Sequence, residues 1–149
     1  MSLNRRVGDE LYSTFNNAVL DRNVDVMVES LQSVLADGSY FTLKDEASYE
    51  NIILTMMHGI LNGYRVTSEK ESGDGRVDLM LEPRRDGGIP IIIELKVADS
   101  GYDLDADAIE ALQQIHDRKY YLGMKGNVIL IGLAFWGKVV RGKVDRIFL

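Results

Sequence analysis

Residues 89–97, Ile-Pro-Ile-Ile-Ile-Glu-Leu-Lys-Val, are apolar on both faces of an extended strand. Side chains alternate along a strand, so Ile89, Ile91, Ile93, Leu95 and Val97 share one face, and Ile92, Glu94 and Lys96 share the other. A strand that is apolar on both sides needs cover on both, which places it inside a sheet between two layers. Asn127 to Phe135 is a second strand of this kind. The stretch between them, Ala106 to Tyr121, has a helical period through Ala108, Ile109, Leu112 and Ile115, with Asp103, Asp105 and Asp107 complementing the dipole at its start. Two interior strands joined by a crossover helix predict an α/β sandwich around a mixed sheet.

Alternating patterns extend that sheet. Tyr64 to Lys70 and Arg76 to Glu82 read as two strands joined by Glu71-Ser72-Gly73-Asp74-Gly75, and Pro83 to Gly88 forms the next turn. Trp136-Gly137 turns the chain into a last strand through Val139, Val140, Val144 and Ile147. Three helices come first. Leu11, Phe15, Ala18 and Val19 mark one, and Val24, Met27, Val28, Leu31, Val34 and Leu35 mark a second that stops at Asp37-Gly38. Residues 1–38 are thus expected to form a helical extension, packed on the main body or on an absent upstream domain, and residues 39–149 to form the main domain. Thr42-Leu43-Lys44-Asp45 offers a variant capping box for the third helix, which is expected to run to Asn62-Gly63. Its stripe of Tyr49, Ile52, Ile53, Met56, Met57, Ile60 and Leu61 makes it central to the core. Glu50 lies on the margin of that stripe, where a carboxylate needs a partner such as an arginine, a helix end or a metal.

The 149 residues contain no cysteine and two histidines, His58 and His116. A disulfide framework, a zinc-thiolate site and a thiol nucleophile are excluded, and imidazole-built zinc sites and a Ser-His-Asp system are disfavoured. The formal charge of −6 argues against a simple basic nucleic-acid coat. That charge resides in the first half, and residues 122–149 carry Lys125, Lys138, Arg141, Lys143 and Arg146 against Asp145 alone. Such a basic excess is a candidate positive rim. No apolar run approaches a membrane span, and the start of the chain lacks the apolar core of a secretory signal, so a cytoplasmic protein is expected.

Asp78, Glu94 and Lys96 carry the candidate chemistry. Glu94 and Lys96 project from one face of their strand, and Asp78 lies in the neighbouring hairpin strand on the same side as Arg76 and Met80. Two carboxylates on adjacent strands can share one divalent ion, and magnesium favours such hard oxygen ligands together with waters and phosphate oxygens. An ion there would acidify a bound water and offset charge on a phosphoryl group, while a nearby ammonium would orient the water or stabilise the transition state. Set against this, Glu beside Lys on a strand is commonly an ion pair of small energetic value.

The ordered set of motifs resembles the PD-(D/E)XK nuclease superfamily, with its restriction-endonuclease-like fold. More narrowly, it resembles members found C-terminal to AAA-ATPase-like domains in bacterial proteins. The resemblance spans residues 40–149 and rests on Ser48-Tyr49-Glu50, Glu71 to Asp78, Ile91 to Lys96, Ala111-Leu112-Gln113-Gln114-Ile115 with Lys119-Tyr120, and Ile131 to Phe135 with Gly137-Lys138. It implies that Asp78, Glu94 and the Leu95 carbonyl bind Mg²⁺ or Mn²⁺, that Lys96 serves the nucleophilic water, and that Gln114 supports the site from the crossover helix. Gln113 and Gln114 point about a third of a turn apart, and the choice of Gln114 follows the resemblance. Glu50 stands where close relatives carry His or Gln and would be a further metal ligand. Val77 departs from the proline in the superfamily's name. The implied activity is metal-dependent hydrolysis of nucleic acid, DNA first, with Lys138, Arg141 and Lys143 as phosphate contacts and an ATPase domain or partner upstream. The competing expectation is a non-catalytic interaction domain that keeps the nuclease scaffold. Tyr120, Tyr121 and Trp136 could stack on bases, with core packing as the simpler role. Glu69 and Glu71 could reach the metal from a strand end.

Overall fold

The computed structural model describes residues 3–37, 46–71 and 76–149. In chain order the elements are α1 (Leu3–Asp21), α2 (Val24–Ala36), α3 (Glu46–Met56), α4 (His58–Leu61), β1 (Tyr64–Glu71) and β2 (Arg76–Pro83). They continue with β3 (Ile91–Val97), α5 (Leu104–Arg118), β4 (Asn127–Trp136) and β5 (Val139–Phe148). The five strands form one sheet in the order β1-β2-β3-β4-β5. Only β3 and β4 run parallel, joined by α5, and the other neighbours are antiparallel. This is the mixed α/β sandwich expected from the two interior strands, and it is consistent with a restriction-endonuclease-like fold.

Alternation sorts the sheet into two faces. Leu79, Leu81, Ile91, Ile93, Leu95, Ile129, Ile131, Leu133 and Phe135 belong to a single apolar cluster. That cluster also takes Phe15, Ala18 and Val19 from α1, Met27, Leu31 and Leu35 from α2, and Ile52, Ile53 and Met56 from α3. The first two helices therefore pack on the main body, one of the two placements expected, and contribute to its principal core. The expected boundary at 38/39, the Gly38 stop, the Thr42–Asp45 cap and the 72–75 turn lie outside the described residues.

The opposite face of β3, β4 and β5 is covered by α5. Asp103 caps this helix, its Oδ1 accepting from Ala106 N at 3.1 Å, and Asp105 and Asp107 occupy the first turn. Its buried stripe is Leu104, Ala108, Ala111 and Ile115. Ile109, expected in that stripe, is 55% exposed, because the stripe follows the i, i+4, i+7 spacing set by Leu104. Gly132 of β4 sets how closely α5 approaches. A Cβ there would lie 2.6 Å from the Ala108 carbonyl oxygen and 2.6 Å from Leu112 N.

The third helix departs from its expected continuous run. It breaks at Met57 (φ −84°, ψ 4°) and resumes as the single turn α4, with both Met56 and Met57 fully buried. Among the described residues, no helix is long and apolar enough to cross a membrane.

Candidate active site

The pairing register places the acidic residues in one row. Glu69 pairs with Asp78, Asp78 with Glu94, Glu94 with Gly132 and Gly132 with Lys143. Neighbours in the row are separated by one strand spacing, about 4.8 Å, and the row lies on the α5 face. Asp78 is 3% exposed and Glu94 is 0% exposed. Among the described residues, neither Glu94 Oε1 nor Oε2 has a hydrogen-bond partner. A buried carboxylate with no donor is among the costliest arrangements a core can hold, so an anion in this position calls for a cation or a proton. The Tyr120 hydroxyl is hydrogen-bonded to Asp78, whose buried Oδ1 makes no hydrogen bond among the described residues.

Lys96 lies on the same face but is not paired with Glu94. Its Nζ sits 2.9 Å from Asp107 Oδ1 and 2.6 Å from Glu110 Oε2, both on α5. Burial pulls this ammonium towards its neutral form, but hydrogen bonds and charge from Glu110 and Asp107 outweigh that and hold its pKa above the usual lysine value. Lys96 is therefore a fixed cation at neutral pH. Asp107, Glu110 and Gln114 follow one another at i, i+3 and i+7, so they share a single stripe of α5 over the end of β3. Gln114 is half-buried on that stripe, whereas Gln113 is exposed and donates to Asp117 at 3.0 Å.

The structure does not bring Glu50 to the carboxylate pair. Glu50 is buried, as its place beside the apolar stripe implied, and its Oε1 accepts from Ser68 Oγ at 2.6 Å. Ser68 pairs with Leu79, so it faces the helical layer opposite α5. The partner that the structure gives Glu50 is the serine hydroxyl. Among the described residues, no group of three or more His, Asp or Glu is placed to hold an ion. Glu69 is exposed beside Asp78 in the row, and the Glu71 side chain lies outside the described set.

The basic rim divides in the same way. Lys138 is exposed in the β4–β5 turn. Arg141 Nη1 donates to Gln32 Oε1 at 3.0 Å and to the Val140 carbonyl at 2.9 Å, and Lys143 Nζ lies 4.0 Å from Asp105 Oδ1. Two of the three expected phosphate contacts are therefore already engaged within the fold. His116 Nε2 lies 3.0 Å from Asp145 Oδ2, and His58 is exposed.

The model of one protein family, the PD-(D/E)XK nuclease superfamily, matches residues 44–143. The chain belongs to that superfamily. The matched span contains β1–β4, α5 and the first half of β5, and so every residue of the row. No curated protein matches the chain.

In this PD-(D/E)XK protein, three contacts escaped the motifs, although Tyr120 itself stands in one of them. Asp107 and Glu110 hold Lys96, yet near a helix start they are easily taken for a complement to the dipole. Their i, i+3 spacing with Gln114 on a crossover helix was the available signal. Tyr120 reaches Asp78 through a turn at Lys119 (φ 52°), and no periodicity announces that. A cavity of about 670 Å³ between α1 and α4, lined by Tyr12, Asn16, His58 and Tyr64, lies on the other side of the sheet and contains no acidic pair.

Proposed function

We propose that this chain is a divalent-metal-dependent phosphodiesterase acting on nucleic acid, with DNA as the first substrate to test. The observation that carries the reading is Glu94, fully buried beside Asp78 with neither oxygen hydrogen-bonded among the described residues. The donor set fits a hard cation such as Mg²⁺ or Mn²⁺, with Asp78, Glu94 and the Leu95 carbonyl as protein ligands. Bound there, the ion would supply Lewis acidity towards a phosphoryl oxygen and acidify a water. The Lys96 ammonium keeps its proton because Asp107 and Glu110 favour the charged form, so it works as a hydrogen-bond donor rather than a base. It orients the attacking water or offsets charge on the phosphoryl group. Gln114 offers an amide from the same helix. Lys138 faces solvent and would contact a flanking phosphate.

The wider setting in the proposal, an AAA-ATPase-like domain or partner upstream, rests on the resemblance of the motifs. A second reading, a scaffold without catalysis, is favoured by the engagement of Lys96 with two carboxylates and by the net charge of −6. Cleavage of plasmid and single-stranded DNA with Mg²⁺ or Mn²⁺ separates the two. Wild type is expected to cut, with Asp78→Asn and Lys96→Ala each reducing the rate by a hundredfold or more, on the order of the loss of a transition-state electrostatic contact. Activity that survives both substitutions removes the assignment. If calorimetry detects no Mg²⁺ or Mn²⁺ binding, the scaffold reading stands.

A further inference from the structure

The hydroxyl of Tyr120 lies between two charged side chains. Arg118 Nη1 donates to Tyr120 Oη at 2.8 Å, and Tyr120 is hydrogen-bonded to Asp78. A guanidinium only donates and a phenol has one proton, so accepting from Arg118 commits that proton to Asp78. The direction of both bonds is fixed by chemistry rather than by assignment. The backbone holds the group in place. Lys119 caps α5 in the left-handed region, with Lys119 N bonded to the Ile115 carbonyl at 3.0 Å and Leu122 N bonded to the Lys119 carbonyl at 3.0 Å. The Tyr120 ring packs with Met80 against the cluster of Ile92, Ile115 and Leu130. Met80 and Ile92 pair two residues, or about 7 Å, along the strands from Asp78 and Glu94, which a tyrosine spans.

Resting on the metal-site reading above, we infer that Tyr120, oriented by Arg118, is a positioning residue for the site. It pins one oxygen of Asp78 and fixes the direction in which the carboxylate faces Glu94. A carboxylate on a strand rotates about its terminal torsion, which has broad minima, and a charge-assisted bond to one oxygen removes that freedom. Partners of this kind around metal-binding carboxylates commonly contribute one to two orders of magnitude in affinity or rate. The ring also lines a cavity of about 580 Å³ with Met80, Met124 and Lys125, so the hydroxyl and the ring have separable roles.

Tyr120→Phe removes the hydroxyl and keeps the ring. Mn²⁺ affinity, read by calorimetry and by electron paramagnetic resonance of the bound ion, is expected to fall about tenfold. Cleavage kcat is expected to fall while KM for nucleic acid stays unchanged. Arg118→Met, which leaves the tyrosine in place, should shift both readouts in the same direction by less, and it carries the test if Tyr120→Phe fails to fold. Unchanged Mn²⁺ affinity and kcat in both variants, with wild type binding Mn²⁺ and Asp78→Asn not, overturn the inference and leave the metal site standing. Absence of Mn²⁺ binding by wild type overturns both.

Discussion

On the face covered by α1–α4, Leu79, Ile93, Leu95, Ile131 and Leu133 belong to one apolar cluster, whereas one residue along the same strands Asp78, Glu94 and Lys96 face α5. Burial is similar on the two sides: Leu95 and Glu94 are both 0% exposed. Its energetic meaning is opposite. Burying an apolar side chain stabilises by roughly 1.5–3 kcal/mol, and burying an unpartnered carboxylate costs free energy unless a cation or proton joins it. The first face thus supplies the surplus that lets the second hold an unfavourable charge in a defined geometry. Functional sites commonly break the local rules that the rest of a fold obeys.

The largest effect expected from this contrast comes from the stabilising face. Leu31→Ala, at a site 0% exposed in α2, should lower the unfolding free energy by about 3 kcal/mol in urea titration. A change within 0.5 kcal/mol, on the order seen for surface substitutions, would return α1 and α2 to the status of a loosely attached extension. A smaller effect of opposite sign is expected across the sheet. Glu94→Gln should raise metal-free stability by about 1 kcal/mol, because the uncompensated charge is gone. Millimolar Mg²⁺ should then reverse the order by stabilising wild type alone, by about 2.7 kcal/mol at a hundredfold excess over Kd. A metal-free wild type more stable than Glu94→Gln would mean that Glu94 is held by something other than an awaited cation. The smallest effect concerns the rim. Lys138→Ala should reduce the slope of log K against log salt by about 0.9 for duplex DNA, with Mn²⁺ affinity unchanged. An unaltered slope would place the nucleic acid on another surface.

Most of the fold was legible because a period of two leaves few choices. The alternation in residues 91–97 and 76–82 specified which side chains share a face, and Asp78 does pair with Glu94. The helices were legible as amphipathic stripes, but not the break at Met57, which falls within the apolar stripe two residues before Gly59. Glu50 shows what a helical pattern leaves open. It announced a buried carboxylate, yet the strand residue that meets it depends on packing, and Ser68 Oγ is 2.6 Å away on the opposite layer. Arg141 illustrates the same limit for surfaces, because a basic residue on an edge strand reads as available until Gln32 of α2 is found beside it. Tyr120 was legible as part of the Lys119-Tyr120 motif, but its contact with Asp78 was not. That contact follows a left-handed turn at Lys119, which no periodicity announces.

Gly132 has no functional group, yet everything α5 delivers depends on it. The atoms that a side chain there would strike are backbone, Ala108 O and Leu112 N, so no rotamer change can make room. Any larger residue must lift the helix, moving Asp107, Glu110, Gln114 and Arg118 together while Asp78 and Glu94 stay in their strands. A genetic screen for loss of function would recover this position alongside residues that touch the reacting atoms. Because the obstruction is main chain, second-site changes in the side chains of α5 would not rescue it.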